Sequence, residues 1–569
     1  GEYSLYDSLN QLSAASPIAR MVRKAARPLV YSMFKGIPHD DPQVVMVLMG
    51  MENGMIDSVV CQSGGMLPMR VAEAMVLPSR QGAPEAHKGV TRMKNSLDKR
   101  TKWCYCIGAT GRDAAYALVS MYLLTYVQYT MKLTVAQFGV ISAAIVVCLI
   151  WDAVNDALMG IIIENTHFKS GKFKPWIIVG AVLNALVIVA LFTLRPQGWG
   201  FVAFFATGYL LWGMTYTMND IAYWGMLPSL SSDPKERDTL VTLMSVFICV
   251  GQFAVAGIVP TVVAGNAIQA YRVTALIVAL AFIAFQTLVV LGVREAPRRD
   301  DAEKVTLRKM FTIFMRNDQL VPIGIASLLF NIGNGLLIIF GVNFFYFEFG
   351  YADSGDLIFL FTVMYGLGTL FSQALYAFIS SRMHRMTILK ICMAAIAVGY
   401  GMLMSFGYVL PKNVVLLNAI GFIIFFFQGL YNLAVIVMLN NTIEYDELRF
   451  GERHDSVISA IRSFSVKLAG AVNQGISALV LIISGIYTVS QNISGLEIEV
   501  GKGGMTSAQA LEKANAFTAQ VQPRQTLLLR IGMVVIPVLA LTCAYVLIRK
   551  KYKITEEAYQ KMVAEIAAR

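Results

Sequence analysis

Long apolar runs set the terms for this chain. From Cys104 onward they recur near 104–131, 135–163, 175–195, 201–229, 239–265, 273–294, 320–348, 355–380, 387–409, 413–442, 456–487 and 525–548. A helix needs about 20 mostly apolar residues to cross a hydrocarbon layer about 30 Å thick. Each run is that long, so each reads as a transmembrane span. Composition agrees: 15% of the 569 residues are charged and 56% are hydrophobic, whereas soluble domains carry about 25% charged residues. The charged stretch 295–318 splits the twelve spans six and six. The expected fold is an all-α membrane protein, with twelve transmembrane helices in two six-helix bundles around a central cavity. The expected domains are an N-terminal extension at 1–92, a first bundle at 100–294, a cytoplasmic middle loop at 295–318, a second bundle at 319–550 and a cytoplasmic tail at 551–569.

The net charge of +11 fits basic loops rather than nucleic-acid binding, because the Lys and Arg residues lie between spans and not on one face. Lys169, Lys172 and Lys174 follow span two, and Lys235 and Arg237 follow span four. Arg298, Arg299, Lys304, Arg308 and Lys309 lie between the halves; Arg382 and Arg385 follow span eight; Arg549, Lys550, Lys551 and Lys553 follow span twelve. The alternate loops are poorer, with Lys132, Arg195, Arg272 and Lys412. Positive-inside asymmetry then places both termini in the cytoplasm of a multi-pass plasma or inner membrane protein. Segment 488–524 falls outside, where Thr506 is placed to N-cap a short helix that ends before Pro523. After span twelve, Thr555 with Glu556 and Glu557 opens an amphipathic helix. The seven cysteines are scattered, and Cys104 and Cys106 form a CxC with no matching pair for zinc.

Residues 1–92 differ from the rest. They hold no run long enough to span, and Val44–Met49 reads as a short buried piece. Arg20, Arg23, Lys24 and Arg27 form a basic helical stripe ended by Pro28, either a solvated face or a contact for anionic lipid. Cys61, His39 and Asp57 make no nucleophile–base–acid set, so no enzyme is expected. The chain begins with Gly1, and Met93-Lys94-Asn95-Ser96 opens a fresh start before span one. The expectation is a fused or read-through segment, dispensable for the membrane function.

Inside the spans, one stretch carries the chemistry: Trp151-Asp152-Ala153-Val154-Asn155-Asp156. Spacing of four places Asp152 and Asp156 on one helical face, with Asn155 beside them. A lone aspartate at the centre of a bilayer helix costs about 2.5–3.5 kcal/mol. Two on one face call for a polar interior, a structural ion pair or a bound cation. A carboxylate pair supplies hard oxygen ligands for sodium, and equally a shared site for a proton. Lys467 is a basic residue inside span eleven that needs an acid, with snorkelling to an interface as the alternative.

The WDAVND run, followed by Lys169-Ser170-Gly171-Lys172-Phe173-Lys174-Pro175-Trp176, resembles the glycoside–pentoside–hexuronide:cation symporters of the major facilitator superfamily, whose best-known member is the melibiose carrier. Gly111-Arg112-Asp113 in span one, Trp212 to Asp220 in span four, Asn317-Asp318-Gln319 before span seven and Lys467 keep the family's order and spacing. The resemblance covers about residues 100–550. It implies a cation site at Asp152, Asn155, Asp156 and Thr217, which would hold Na+ if sodium is the coupling ion. For Thr217 the alternative is back-bonding to its own helix. It also implies sugar-binding carboxylates at Asp113 and Asp220. Trp224 and Tyr216, each four residues from Asp220, are candidate stacking rings, with bundle packing as the plainer role. Arg112 is expected to snorkel or to pair with a neighbouring acid. Lys467 is expected to hold the cavity closed when no cation is bound. Glu444, Asp446, Glu447, Arg449, Glu452 and Arg453 crowd the end of span ten and read either as a latch between the halves, with Arg453 as a gating residue, or as solvated loop charge.

One departure bears on substrate. Counting from Asp233-Pro234-Lys235-Glu236-Arg237, the resemblance to the melibiose carrier implies that Ser245 stands where that protein has a sugar-binding arginine in span five, and that Arg462 matches its span-eleven glutamine. Arg462 is therefore a candidate sugar-binding residue, suited to a substrate carboxylate as in a hexuronide, or else a gate residue. The expected function is symport of a sugar, glycoside or hexuronide with Na+ or H+, with no cofactor, in a monomer surrounded by lipid. The rivals are a non-transporting sugar sensor of the same fold and an enzyme–transporter fusion through residues 1–92.

Overall fold

The computed structural model describes residues 98–166, 168, 171–231, 234–294, 307–451 and 455–568. Among them every long element is a helix. The spans run Lys99–Thr130, Val135–Asn165, Lys174–Thr193, Gly198–Leu230, Pro234–Val263, Ala267–Gly292, Leu320–Phe349, Ser354–Ser380, Arg385–Ser405, Val414–Asn440 and Asp455–Ile483. The twelfth begins as Pro523–Arg530, passes through a π-helical turn at Ile531–Val535, and continues as Ile536–Lys551. Among the described residues ten helices are long and apolar enough to cross a membrane, which makes this a multi-pass membrane protein. Spans one and four, at 32 and 33 residues, are long enough but too polar to meet the same measure. Their polar residues are the reason: Arg112, Asp113, Gln128 and Asn219 are all buried within the bundle instead of facing lipid.

Local rules set the ends. Thr134 caps span two with a capping box closed by Gln137, and Asn413 caps span ten. Spans one, five and six pack together, as do spans two, three and four around span four. In the second half, spans eight and nine pack on span ten, and span seven packs on spans eleven and twelve. Spans two and eleven, and spans five and eight, form the seam between halves.

Several expectations change. Span eleven stops at Ile483 and not near 487, because Gly485 adopts a φ of +75°, where a side chain would be strained. A new helix, Ile486–Gly501, starts there. The helix capped by Thr506 forms as expected, Ser507–Ala519, with Gln509 closing a capping box. The middle segment is not all loop: Leu307–Arg316 is an amphipathic helix. The tail helix forms at Glu556–Ala568, with the Ala558 backbone donating to Thr555. Glu556 accepts from the Arg385 backbone at 2.6 Å. Burial pushes the Glu556 carboxyl up, but backbone donors and the Arg385 and His384 charges outweigh it and hold it below the ordinary range. The basic stripe at 20–27, the Val44–Met49 piece and the fused-segment expectation fall outside the described residues, as do Glu452 and Arg453.

Candidate functional site

Span two and span four meet face to face at the expected cation residues. Gly213 permits the approach: a Cβ there would lie 2.6 Å from Oδ1 of Asp152. One turn on, Thr217 donates to Oδ1 of Asp156 at 3.1 Å, so its hydroxyl serves the acid and not its own helix. Lys467 donates to the other oxygen, Oδ2 of Asp156. The lysine's partner is thus settled among the acids of the first bundle, and the pair bridges the seam between spans two and eleven. Asn155 is buried, with its amide nitrogen unpartnered. Asp152 and Asp156 of span two thus meet Gly213 and Thr217 of span four, one turn apart. Among the described residues no group of three or more Asp, Glu, His or Cys gathers as for a divalent metal; the donor set is two carboxylates, an amide and a hydroxyl.

A second cluster joins spans one and four. Arg112 is 1% exposed. Its Nε and Nη2 donate to Oδ2 of Asp113 at 3.0 and 2.8 Å, and its Nη1 donates to Oδ1 of Asp220 at 2.9 Å. Arg112 thus pairs rather than snorkels, and it ties the two expected sugar-binding acids together. Its guanidinium sits 4.7 Å from the Tyr223 ring centroid and 5.6 Å from that of Trp224. Trp224 is therefore part of the cluster, with its indole N–H buried and unpartnered. Tyr216 packs against Tyr116 at 5.2 Å and Trp212 at 5.9 Å between centroids.

Sequence reading missed two members. Gln252 of span five donates to Oδ1 of Asp113 at 3.2 Å, and Tyr116 completes the aromatic wall. Tyr116 lies three residues after Asp113, a helical spacing that was there to be used; nothing in the sequence ties Gln252 to Asp113. Ser245 is buried with its hydroxyl unpartnered. Arg462 has no described bond to either cluster, and its Nη2 is buried without a hydrogen-bond partner. Its neighbour Ile461 lies beside Gly324, at the first turns of span seven, so Arg462 sits toward the end of the bundle where span seven starts.

Two of the charged residues after span ten, Arg449 and Asp446, bond to the start of the second half. Arg449 and Tyr445 both donate to Oδ1 of Asp318 before span seven, and Arg316 pairs with Asp446 at 3.5 Å. These contacts brace the second bundle on itself. Burial alone would raise the Asp318 carboxyl, but Tyr445, Gln319 and Arg449 hold it below the ordinary range.

A family described as MFS/sugar transport protein matches residues 104–556. Relatives include a lactose permease of Lactobacillus delbrueckii subsp. bulgaricus, 26% identical over 495 residues and covering 83% of this chain and 73% of that one. A raffinose carrier protein of Pediococcus pentosaceus is 25% identical, covering 81% and 70%. A putative glycoside/cation symporter of Escherichia coli (strain K12) is 23% identical, covering 71% and 86%. Among solved structures, a D-xylose-proton symporter aligns with a TM-score of 0.52 at 15% identity, over 76% of this chain and 99% of that one. A bacterial homolog to the human lysosomal transporter Spinster, in an inward-facing conformation, aligns with a TM-score of 0.53 at 12% identity, over 81% and 98%. These two likenesses carry the fold.

Proposed function

As the chain belongs to the MFS/sugar transport proteins, and among them to the glycoside–pentoside–hexuronide:cation symporters, we propose that it moves a glycoside across the membrane together with a monovalent cation, by alternating access. The observation that carries this reading is Asp156, held by Thr217 of span four on one oxygen and by Lys467 of span eleven on the other. A cation entering between Asp152 and Asp156 competes with the lysine for the same carboxylate. Cation binding and the contact between bundles are then one equilibrium, which is what coupling requires.

The roles follow. Asp152, Asn155, Asp156 and Thr217 bind the cation, Na+ through their oxygens or H+ on the carboxylate pair. Asp113 and Asp220 accept sugar hydroxyls, with Arg112 holding both in place. Trp224 and Tyr216 face the apolar side of the ring, and the free Trp224 N–H is a donor awaiting an acceptor. Lys467 is the gate. Arg453, outside the described residues, remains a gating candidate on charge alone. The protein resides in the plasma or inner membrane with both termini cytoplasmic, as a monomer in lipid.

The test is uptake of labelled lactose and raffinose into proteoliposomes under an imposed Na+ gradient or an imposed pH gradient. Accumulation under one gradient names the ion. Binding without counterflow of labelled sugar would instead make the protein a sensor. The same assay on Met93–Arg569 tests whether residues 1–92 are dispensable; loss of transport by a well-folded product would refute that.

The unpartnered guanidinium of Arg462 favours a second reading of the substrate, a sugar that carries a carboxylate. A guanidinium in a low-dielectric cavity binds a carboxylate bidentately. It would also offset the repulsion such a sugar meets from Asp113 and Asp220. Arg462→Gln is then expected to weaken binding of a uronide about tenfold to hundredfold while sparing the uncharged parent sugar. A wild-type protein that binds neutral glycosides alone ends this reading and leaves Arg462 to the gate.

A further inference from the structure

The end of the bundle where spans one and seven finish is closed by a segment that belongs to one half and bonds to the other. Helix Ile486–Gly501 follows span eleven through Gly485 and leads through Ser507–Ala519 into span twelve, so the chain ties it at both ends to the second bundle. Its side chains reach the first. Tyr487 donates to the Leu133 carbonyl at 3.0 Å, and Ser494 to the Met131 carbonyl at 2.9 Å. Gln491 donates to the carbonyls of Gln128 and Met131, and accepts from the Leu133 backbone at 2.9 Å. Beside this helix, Gln128 and Tyr129 of span one donate to Asn343 of span seven at 2.8 and 2.6 Å.

Glu497 stands apart from the rest of this seam. It is a carboxylate at 2% exposure. Its oxygens accept from the backbone N–H groups of Gly265 at 2.8 Å and Ala267 at 2.7 Å, where span six begins, and from the Tyr351 hydroxyl at 2.8 Å. The charge is met by a helix N-terminus and a phenol, with no cation among its partners. Gly265 and Ala267 belong to the first half; Tyr351 and Glu497 belong to the second. Helix Ser507–Ala519 backs the contact: Leu511 lies against Gly265, and Asn515 accepts from the Ala352 backbone at 2.9 Å.

We propose that Glu497 is the latch of the gate at this end, and that the paired helices 486–501 and 507–519 are the moving part it fastens. Opening this end separates the halves, and separation strips the carboxylate of both backbone donors at once. No other acceptor on the helix offers span six a charge, so the latch is specific to this contact. The inference rests on the transport reading for its role, but the closed geometry it explains does not depend on the substrate.

The latch has a signature that mere structural support lacks. Loss of charged hydrogen bonds at the contact changes the closed-to-open ratio by about tenfold to hundredfold. Because apparent affinity scales with the fraction in the competent state, a sugar offered to the opened face binds Glu497→Ala more tightly than wild type, up to about tenfold, while turnover falls. General damage would weaken binding. The direct measurement is a spin-label distance between Lys132→Cys and Val409→Cys, both exposed and on opposite halves at this end, after replacement of the seven native cysteines. Glu497→Ala is expected to populate a longer distance at least tenfold more than wild type, and Glu497→Asp to restore part of the short one. If Glu497→Ala fails to fold, Tyr351→Phe, which removes one donor, is expected to move the distribution the same way by a smaller factor. Unchanged distances in folded variants overturn the latch. A wild type that binds no sugar, with distances still shifting, overturns the transport reading and leaves the latch standing.

Discussion

Asp156→Cys is expected to abolish uphill accumulation while sugar exchange across the membrane persists. One cation driven by 100 mV carries about 2.3 kcal/mol, which sustains a sugar ratio of about fiftyfold. Without the carboxylate that cation and lysine share, the ratio should fall to about one. The geometry adds a second expectation that separates coupling from damage. Lys467 competes for Oδ2 of Asp156, so Lys467→Met should tighten apparent cation binding about tenfold or more, the worth of one hydrogen bond between charged groups. Asp156→Cys and Lys467→Met thus move cation affinity in opposite directions. Cation-dependent thermal stabilisation in detergent measures both. Retained accumulation in Asp156→Cys would remove this residue from the coupling site, whatever Lys467 does.

The sequence made the spans legible because lipid is an undemanding reader: length and apolarity suffice. Spans one and four were identified despite their polar residues, and those residues mark the sites. Local chemistry was equally plain at Thr506 and Thr555, where capping is settled within a few positions. The candidate cation residues stood out because WDAVND places its acids on one turn, with the family resemblance supplying Thr217. What stayed hidden depends on pairs distant in the chain. Gln252 finds Asp113 across 139 positions, and Glu497 finds Ala267 across 230. The break at Gly485 was missed because glycine inside an apolar run reads as tolerated packing, and its φ is set by the tertiary turn. The Leu307–Arg316 helix had a signal, with Leu307, Met310, Phe311 and Phe314 at helical spacing, obscured by the charge around it.

Arg112 carries the other large expectation, on folding as well as on sugar binding. It is buried with two carboxylates as its partners, Asp113 and Asp220. Breaking a buried ion pair by removing one partner costs about 3–5 kcal/mol, because the remaining charge is left uncompensated. Arg112→Ala leaves two facing acids, so it should lower thermal stability in detergent more than loss of either acid. Asp113→Ala and Asp220→Ala should each weaken sugar binding by more than tenfold, since each removes a charged acceptor worth about 1.5–3 kcal/mol. Cation-induced stabilisation should survive in both acid variants, because Asp152 and Asp156 lie on another helix. Asp220, bonded to Arg112 once where Asp113 is bonded twice, is the cleaner probe of the sugar. The double variant Arg112→Gln with Asp113→Asn should then be more stable than Arg112→Gln alone, since it removes one of the two orphaned charges and the repulsion between them. Stability lost additively in the double variant would mean that the arginine serves packing against Tyr223 and Trp224 and not the acids. Normal sugar affinity in both acid variants would move the sugar site away from this cluster altogether.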